Sequence, residues 1–124
     1  MTEYLIAFND EWVPDHTDEQ LAGKSMAVRA LIAEMKAAGV FVFTGGLDIG
    51  SPVFSVDAVS GEPVFTDGPF AESKEHLGGF AVVDVADEEA ARLWAGKIAV
   101  ACGWPQEVRR FRYATAGVPT AEGA

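Results

Sequence analysis

A helical repeat of apolar residues over positions 18–38, placed between two runs of strand-forming residues, constrains the fold of this chain most strongly. Its apolar positions recur at intervals of mostly three and four: Leu21, Val28, Leu31, Ile32 and Met35. This spacing predicts an amphipathic helix that buries those side chains against a sheet. Thr17 and Gln20 have the spacing of a capping box, and Gly39 is placed to end the helix.

A second helix is predicted near the end of the chain. Asp87 is a suitable N-cap, acidic residues follow in the first turn, where the helix dipole favours them, and Gly103 stops the helix after about Ala101. We expect one side of this helix to pack inward, through Ala90, Leu93, Trp94, Ile98 and Ala101.

Strand-forming runs flank both helices, at residues 3–8, 40–44, 80–85 and 107–113. A further pair, 53–59 and 63–66, is joined by a turn at 60–62 and predicts a hairpin. Without that hairpin and the loop after it, the order is βαββαβ. This order predicts an α+β, ferredoxin-like antiparallel sheet with two helices on one face. The bare second face predicts a face-to-face homodimer.

The chain length indicates the number of domains, and the net charge limits the classes of ligand. The 124 residues suit one domain, 1–113, followed by a flexible tail, 114–124. A net charge of −10 disfavours direct binding of nucleic acid, which needs cations to neutralise phosphates. Arg109, Arg110 and Arg112 still cluster on the last strand, either as a basic patch or as charges that protect an edge strand.

Cysteine content and hydropathy bear on the cellular compartment of the protein. The single cysteine, Cys102, excludes an internal disulfide and a cysteine-built metal site, and its small apolar neighbours favour a buried position. Neither a signal-peptide pattern nor a membrane-length apolar run occurs. We therefore expect a cytoplasmic protein that does not bind membranes.

Residues 66–80 form an unusually long connection between two predicted strands. Connections in compact domains are about 4–6 residues long, so a longer one is more often functional or independently packed. Asp67, Gly68 and Pro69 are typical of a turn, and acids, a lysine and a histidine follow them. The pattern predicts a loop that faces a ligand.

This stretch, DGPFAESKEHLGGF, resembles the motif of the DGPF-domain group of the YCII-related family. The matching residues are Asp67, Gly68, Pro69, Phe70, Glu72, Lys74, Leu77, Gly78, Gly79 and Phe80. The resemblance covers most of the chain and implies a bacterial protein with a dimeric, α/β-barrel-like α+β arrangement. Some YCII-related proteins have a His-Asp pair proposed as catalytic, with the histidine on the first helix. The first helix of this chain contains no histidine.

Three residues of the stretch are candidates for catalysis. Asp67 is either a general base or a turn residue that accepts backbone hydrogen bonds. Lys74 either stabilises a ligand anion or forms an ion pair within the loop. His76 is either a proton shuttle or a solvent-facing residue. The candidate ligand-binding residues are Gly68, Pro69, Phe70, Glu72, Gly78 and Gly79.

Three functions remain open on the sequence alone. The first is a small-molecule enzyme that uses acid-base chemistry without a metal or another cofactor. Five aromatic residues either wall its pocket or, as is usual for such residues, pack in the core: Trp12, Phe65, Phe70, Trp94 and Trp104. The second is a non-catalytic binding or regulatory module. Because the DGPF group resembles accessory proteins of extracytoplasmic-function sigma factors, a sigma factor would then be the partner. The third is a structural dimer whose loop covers a sheet edge.

Overall fold

Strands and helices follow one another in the predicted order. The computed structural model describes residues 1–68 and 76–112. Its strands are β1 (Thr2–Asn9), β2 (Phe41–Gly46), β3 (Phe54–Asp57), β4 (Val64–Asp67), β5 (Leu77–Val85) and β6 (Glu107–Arg110). Its helices are α1 (Asp18–Ala37) and α2 (Glu88–Cys102), and a single 3₁₀ turn covers Asp10–Trp12.

Four of the strands form one antiparallel sheet in the order β2-β5-β1-β6. The two central strands, β1 and β5, are separated by about seventy positions in sequence, which is the arrangement expected of a βαββαβ chain. The predicted α+β, ferredoxin-like sheet is confirmed. The last strand is shorter than predicted, because the ladder ends at Arg110; Phe111 adds one more bond, its amide donating to the Glu3 carbonyl at 2.9 Å.

Both helices cover the same face of this sheet. The buried core joins β1 and β5 to the helices through Tyr4, Ile6, Ala81, Val83 and Val85 on the strands and Leu31, Met35, Ala91, Trp94 and Ala95 on the helices. Cys102 is buried, as predicted. Neither helix in the described ranges combines the length and apolarity needed to cross a bilayer.

Two predicted core residues lie elsewhere. Leu21 is 42% exposed because the buried part of α1 begins only at Leu31. Leu93 is 57% exposed because the buried side of α2 is centred on Ala91 and Trp94, which turns the neighbouring Leu93 outward. Leu93 therefore faces the outer side of the helical layer, and Leu21 lines a small pocket near Cys102 and Trp104.

Local hydrogen bonds explain where the helices begin and end. The Gln20 amide donates to Thr17 Oγ1 at 3.1 Å, and the Thr17 amide donates to Gln20 Oε1 at 2.9 Å, so the predicted capping box is confirmed. Asp87 Oδ1 accepts from the Ala90 amide at 2.8 Å at the start of α2. Gly103 ends α2 with a φ of +89°, a conformation that favours glycine.

The sheet face opposite the helices, here called the open face, carries apolar side chains. Strand register and alternation place Leu5, Phe43, Phe80 and Val82 on it. Phe43 is 53% exposed, and its ring centroid lies 5.9 Å from that of Phe80. On the edge strand β6, Arg109 lies opposite Leu5 and therefore belongs to the same face.

The hairpin β3–β4 stands apart from the main sheet. Its pairing partners are Phe54 with Asp67, Ser55 with Thr66, Val56 with Phe65 and Asp57 with Val64. Because paired residues share a face, one face carries two phenylalanines and a valine, while the other is mainly polar. The predicted hairpin is confirmed, and Asp67 is the last residue of β4.

Candidate functional site

The DGPF stretch leaves the hairpin through a fixed turn at Gly68. The Gly68 amide donates to the Val53 carbonyl at 2.6 Å, and its own carbonyl accepts from Ser55 Oγ at 2.6 Å. Its φ is +89°, a region in which other residues are strained. Gly68 therefore sets the direction in which the chain leaves β4, while Asp67 remains exposed beside it.

Four of the predicted site residues, Pro69, Phe70, Glu72 and Lys74, lie outside the described residues. Their proposed roles stay predictions. The chain is described again from His76, whose carbonyl accepts from the Asp10 amide at 2.7 Å. This bond ties the end of the stretch to the 3₁₀ turn that follows β1.

Gly78 and Gly79 are buried where β5 begins. A Cβ on Gly78 would lie 2.5 Å from the ring of Phe8, and one on Gly79 would lie 2.9 Å from the Gly45 carbonyl oxygen. Close packing against β1 and β2 thus accounts for both glycines. Their predicted contact with a ligand stays a prediction.

A cleft opens where His76 enters the sheet. Its volume is about 190 Å³, and it is lined by Ala7, Phe8, Asn9, Trp12, His76, Leu77 and Glu107. The end of β1, the 3₁₀ turn, the start of β5 and the start of β6 each contribute residues. The register that pairs Ala7 with Glu107 brings the last of these strands to the cleft.

Two polar side chains of the cleft, Glu107 and Asn9, form hydrogen bonds with residues that do not line it. Glu107 Oε1 accepts from Arg109 Nη2 at 3.2 Å, which places a positive charge near the rim. Asn9 Oδ1 accepts from the Glu11 amide at 2.9 Å, so the remaining hydrogen-bonding group of that side chain is its amide donor. Trp12 supplies an aromatic wall and is 37% exposed.

An imidazole, a carboxylate, an amide and an indole therefore surround one small space. An imidazole can accept or donate a proton near neutral pH, and a carboxylate can hold a donor in place. Residues 1–68 and 76–112 contain no group of three or more His, Cys, Asp or Glu side chains that could hold a metal ion.

Sequence reasoning identifies part of this site. His76 is a predicted catalytic residue, and Trp12 is one of the five aromatic residues predicted either to wall a pocket or to pack in the core. Asn9 and Glu107 are missed, because each looks like an ordinary strand-end residue until the strand register is known. Asp67 lies on the hairpin and is not among the residues that line the cleft.

A larger cavity lies elsewhere, as an open groove of about 810 Å³ on the outer side of the two helices. Small and apolar side chains dominate its lining, together with the ion-paired Glu34 and Lys97 and with Arg92. We call it the helical groove. It has the character of a contact surface rather than of a site for chemistry, because few polar groups converge on it.

Comparison with known proteins identifies a family. The family model of the YCII-related domain matches residues 4–104. This range includes most of β1, all elements from β2 through α2 together with α1, the cleft residues up to Leu77 and the DGPF stretch. No curated protein matches the chain.

Proposed function

Because the chain belongs to the YCII-related family, whose domain includes every cleft residue except Glu107, we propose that it acts on a small organic molecule by moving a proton beside His76. The observation that carries this proposal is the meeting of His76, Glu107 and Trp12 around one cleft. A volume of about 190 Å³ corresponds to roughly six water-sized groups, so the ligand is small. Short carboxylic acids, lactones and small aromatic acids have suitable sizes.

His76 is the proton carrier in this proposal. His76 is exposed and lines the cleft, and the bond from the Asp10 amide to its carbonyl fixes the position of its backbone there. Glu107 holds a donor group of the ligand, and Trp12 covers an apolar part. Arg109, which is bound to Glu107, offsets negative charge on the ligand.

Asp67 and Lys74 complete the proposed chemistry. We assign Asp67 the role of a second base and Lys74, two positions before His76, the role of stabilising a ligand anion. Residues 69–75 link Asp67 to His76 in sequence, and the glycine turn at Gly68 fixes where that link begins. These two roles rest on the DGPF motif.

A binding experiment tests the location. Thermal shifts are measured against small carboxylates, lactones, aromatic acids and sugar phosphates for the wild type and for the His76→Gln and His16→Gln variants. His16 is the matched control, because it is the other histidine and its ring bonds the Pro14 carbonyl at 3.1 Å, away from the cleft. A ligand at 100 times its Kd stabilises by about 2.7 kcal/mol. We expect this gain in the wild type and in His16→Gln, and its loss in His76→Gln.

A second experiment tests the chemistry. The ligand that binds is incubated in D₂O, and exchange of its carbon-bound hydrogens is followed by NMR. General acid-base catalysis contributes about 10²–10⁴-fold, so His76→Gln should slow the exchange by at least about 100-fold. Exchange at an equal rate in wild type and variant would contradict a proton-carrying His76. Binding without any exchange would favour a non-catalytic module.

The second candidate function is that of an accessory protein for an extracytoplasmic-function sigma factor. The helical groove and the net charge of −10 favour it, since an apolar groove on an acidic protein suits an amphipathic helix with basic flanks. Leu93 and Val100, 57% and 85% exposed, line the groove. A purified sigma factor from the same host should bind the wild type and bind Leu93→Asp at least about 10-fold more weakly. Equal binding would remove the groove from the proposal.

A further inference from the structure

A pocket distinct from the cleft lies between the first half of α1 and the turn that follows α2. Its volume is about 270 Å³. The Lys24 side chain reaches over this turn, since a Cβ added to Gly103 would lie 3.2 Å from Lys24 Nζ. We call this space the lysine pocket; the residues that line it are Leu21, Lys24, Ser25, Val28, Arg29, Cys102 and Trp104.

Helical spacing explains why most of this lining comes from α1. Positions 21, 24, 25 and 28 are separated by three and four residues, so they share one side of the helix, and Arg29 follows Ser25 by one turn. Cys102 ends α2, and the left-handed conformation of Gly103 lets the chain turn so that Trp104 lines the pocket opposite α1.

The lysine pocket carries positive charge without a matching acid. Within residues 1–68 and 76–112, neither Lys24 nor Arg29 forms an ion pair. The positions one turn away on α1 are also uncharged: 20, 21, 27 and 28 around Lys24, and 25, 26, 32 and 33 around Arg29. In a chain of 19 acidic and 9 basic residues, two such cations at one pocket favour a ligand that supplies the negative charge.

The rest of the lining is mainly apolar and includes an aromatic wall. Lys24 Nζ lies 5.1 Å from the centroid of the Trp104 ring, so a cation–π contact holds the ammonium group there. An ammonium group has three N–H donors, which remain available to an acceptor. The Trp104 ring is held edge-on by Phe8, with centroids 5.4 Å apart. The cation and the aromatic wall are therefore in place before a ligand binds.

We propose that the lysine pocket binds a small carboxylic acid with an apolar body, of which phenylacetate is an example. The carboxylate accepts hydrogen bonds from Lys24 and Arg29, and the apolar body packs on Leu21, Val28 and Trp104. A cavity of about 150 Å³ holds benzene, so this volume suffices for an aromatic ring with a carboxylate arm. A compact inorganic anion would leave the apolar lining in contact with water. The inference stands independently of the chemistry proposed at His76.

The indole N–H signals of the full chain in a ¹⁵N–¹H NMR spectrum distinguish this pocket from the cleft. The chain has three tryptophans, and Trp104 lines the lysine pocket whereas Trp12 lines the cleft. The variants Trp12→Phe and Trp94→Phe each remove one signal and so assign all three. Titration with phenylacetate should move the Trp104 signal in a saturable way, with a Kd below about 1 mM. A Trp104 signal that stays in place at about 10 mM phenylacetate would overturn the proposal.

Charge recognition is tested with variants and with a neutral ligand. Lys24→Gln and Arg29→Gln should each raise the Kd read from Trp104 by at least about fivefold. Lys36→Gln is the matched control on the same helix, because Lys36 Nζ lies 5.2 Å from the centroid of the Phe41 ring and does not line the pocket. It should change the Kd by less than about twofold. Equal effects of the three variants would overturn the assignment of the two cations.

Phenylacetamide, which has the same shape without the charge, should bind the wild type at least about 10-fold more weakly than phenylacetate. This comparison needs no variant, so it holds even where a substitution disturbs the fold. Equal affinity for the two compounds would overturn recognition of a carboxylate, and inorganic phosphate binding as tightly as phenylacetate would overturn the apolar body. His76→Gln should leave the Trp104 response unchanged, because His76 lines the cleft. Loss of that response in His76→Gln would overturn a separate site.

Discussion

Replacing Gly79 by alanine should destabilise the fold by about 2 kcal/mol. Gly79 is buried in β5, and the added methyl group would meet three atoms of neighbouring strands: the Gly45 carbonyl oxygen at 2.9 Å and two ring carbons of Phe8 at 3.0 Å. The carbonyl belongs to a sheet backbone that cannot move alone. The ring of Phe8 is held edge-on against Trp104, with centroids 5.4 Å apart. Either the β2–β5 pairing opens locally or Phe8 shifts, and both cost packing.

Gly46 provides a control at the cross-strand partner position. Gly46 pairs with Gly79 in the ladder, is exposed, and has no atom within 4 Å of an added Cβ. Gly46→Ala should therefore be neutral or stabilising, by up to about 1 kcal/mol, because alanine lowers the entropy of the unfolded chain. Urea denaturation measures both variants, and the melting temperature of Gly79→Ala should fall by about 8 °C at roughly 4 °C per kcal/mol. Equal stability of the two variants would refute the packing of β5 against β1 and β2 described above.

Three further substitutions test the scaffold by urea denaturation. Thr17→Ala removes the capping-box acceptor of α1 and should cost about 1 kcal/mol, whereas Thr17→Ser should cost little; equal losses would argue against the cap. Gly103→Ala places a methyl group on a residue with a φ of +89°, 3.2 Å from Lys24 Nζ, and should lower the free energy of unfolding by about 1 kcal/mol. The control Gly96→Ala, within α2, should be neutral or stabilising. Met35→Ala leaves a cavity at a core position that is 2% exposed and should lower the free energy of unfolding by about 2–5 kcal/mol. Met26, which is 71% exposed, is the control, and Met26→Ala should not cause such a loss. A small loss at Met35 would mean that the contact of α1 with the core is misplaced.

Local signals make most of the scaffold predictable. Caps depend on residues three positions apart, so Thr17 with Gln20 and Asp87 with Ala90 can be identified without the fold. The order of helices and strands, together with the rule that such chains form a ferredoxin-like sheet, then leads to the correct arrangement of the main strands. The inward side of α2 is harder to predict, because apolar residues occur on several of its sides. Leu93 is therefore predicted in the core although it faces out.

The cleft depends on contacts between residues distant in sequence, which a periodic pattern cannot supply. Glu107 reaches the cleft beside His76 only because β6 pairs with β1 in a register that sets Glu107 opposite Ala7. The glycine pair at 78–79 illustrates the same limit. Two residues without side chains indicate that another part of the chain lies close to the backbone. Only the structure shows that the ring of Phe8 packs there. Asp67, which the sequence places at the start of a turn, is the last residue of β4 and pairs with Phe54.

Binding of a small molecule beside His76, as proposed, can be observed directly at the histidine rings. The chain has two histidines, so selective labelling of histidine rings gives separate NMR signals for His16 and His76. Titration with the compound that gives the largest thermal shift should move the His76 ring signals in a saturable way and leave those of His16 in place. Saturable binding with both histidines unaffected would place the ligand elsewhere and contradict the assignment of the cleft.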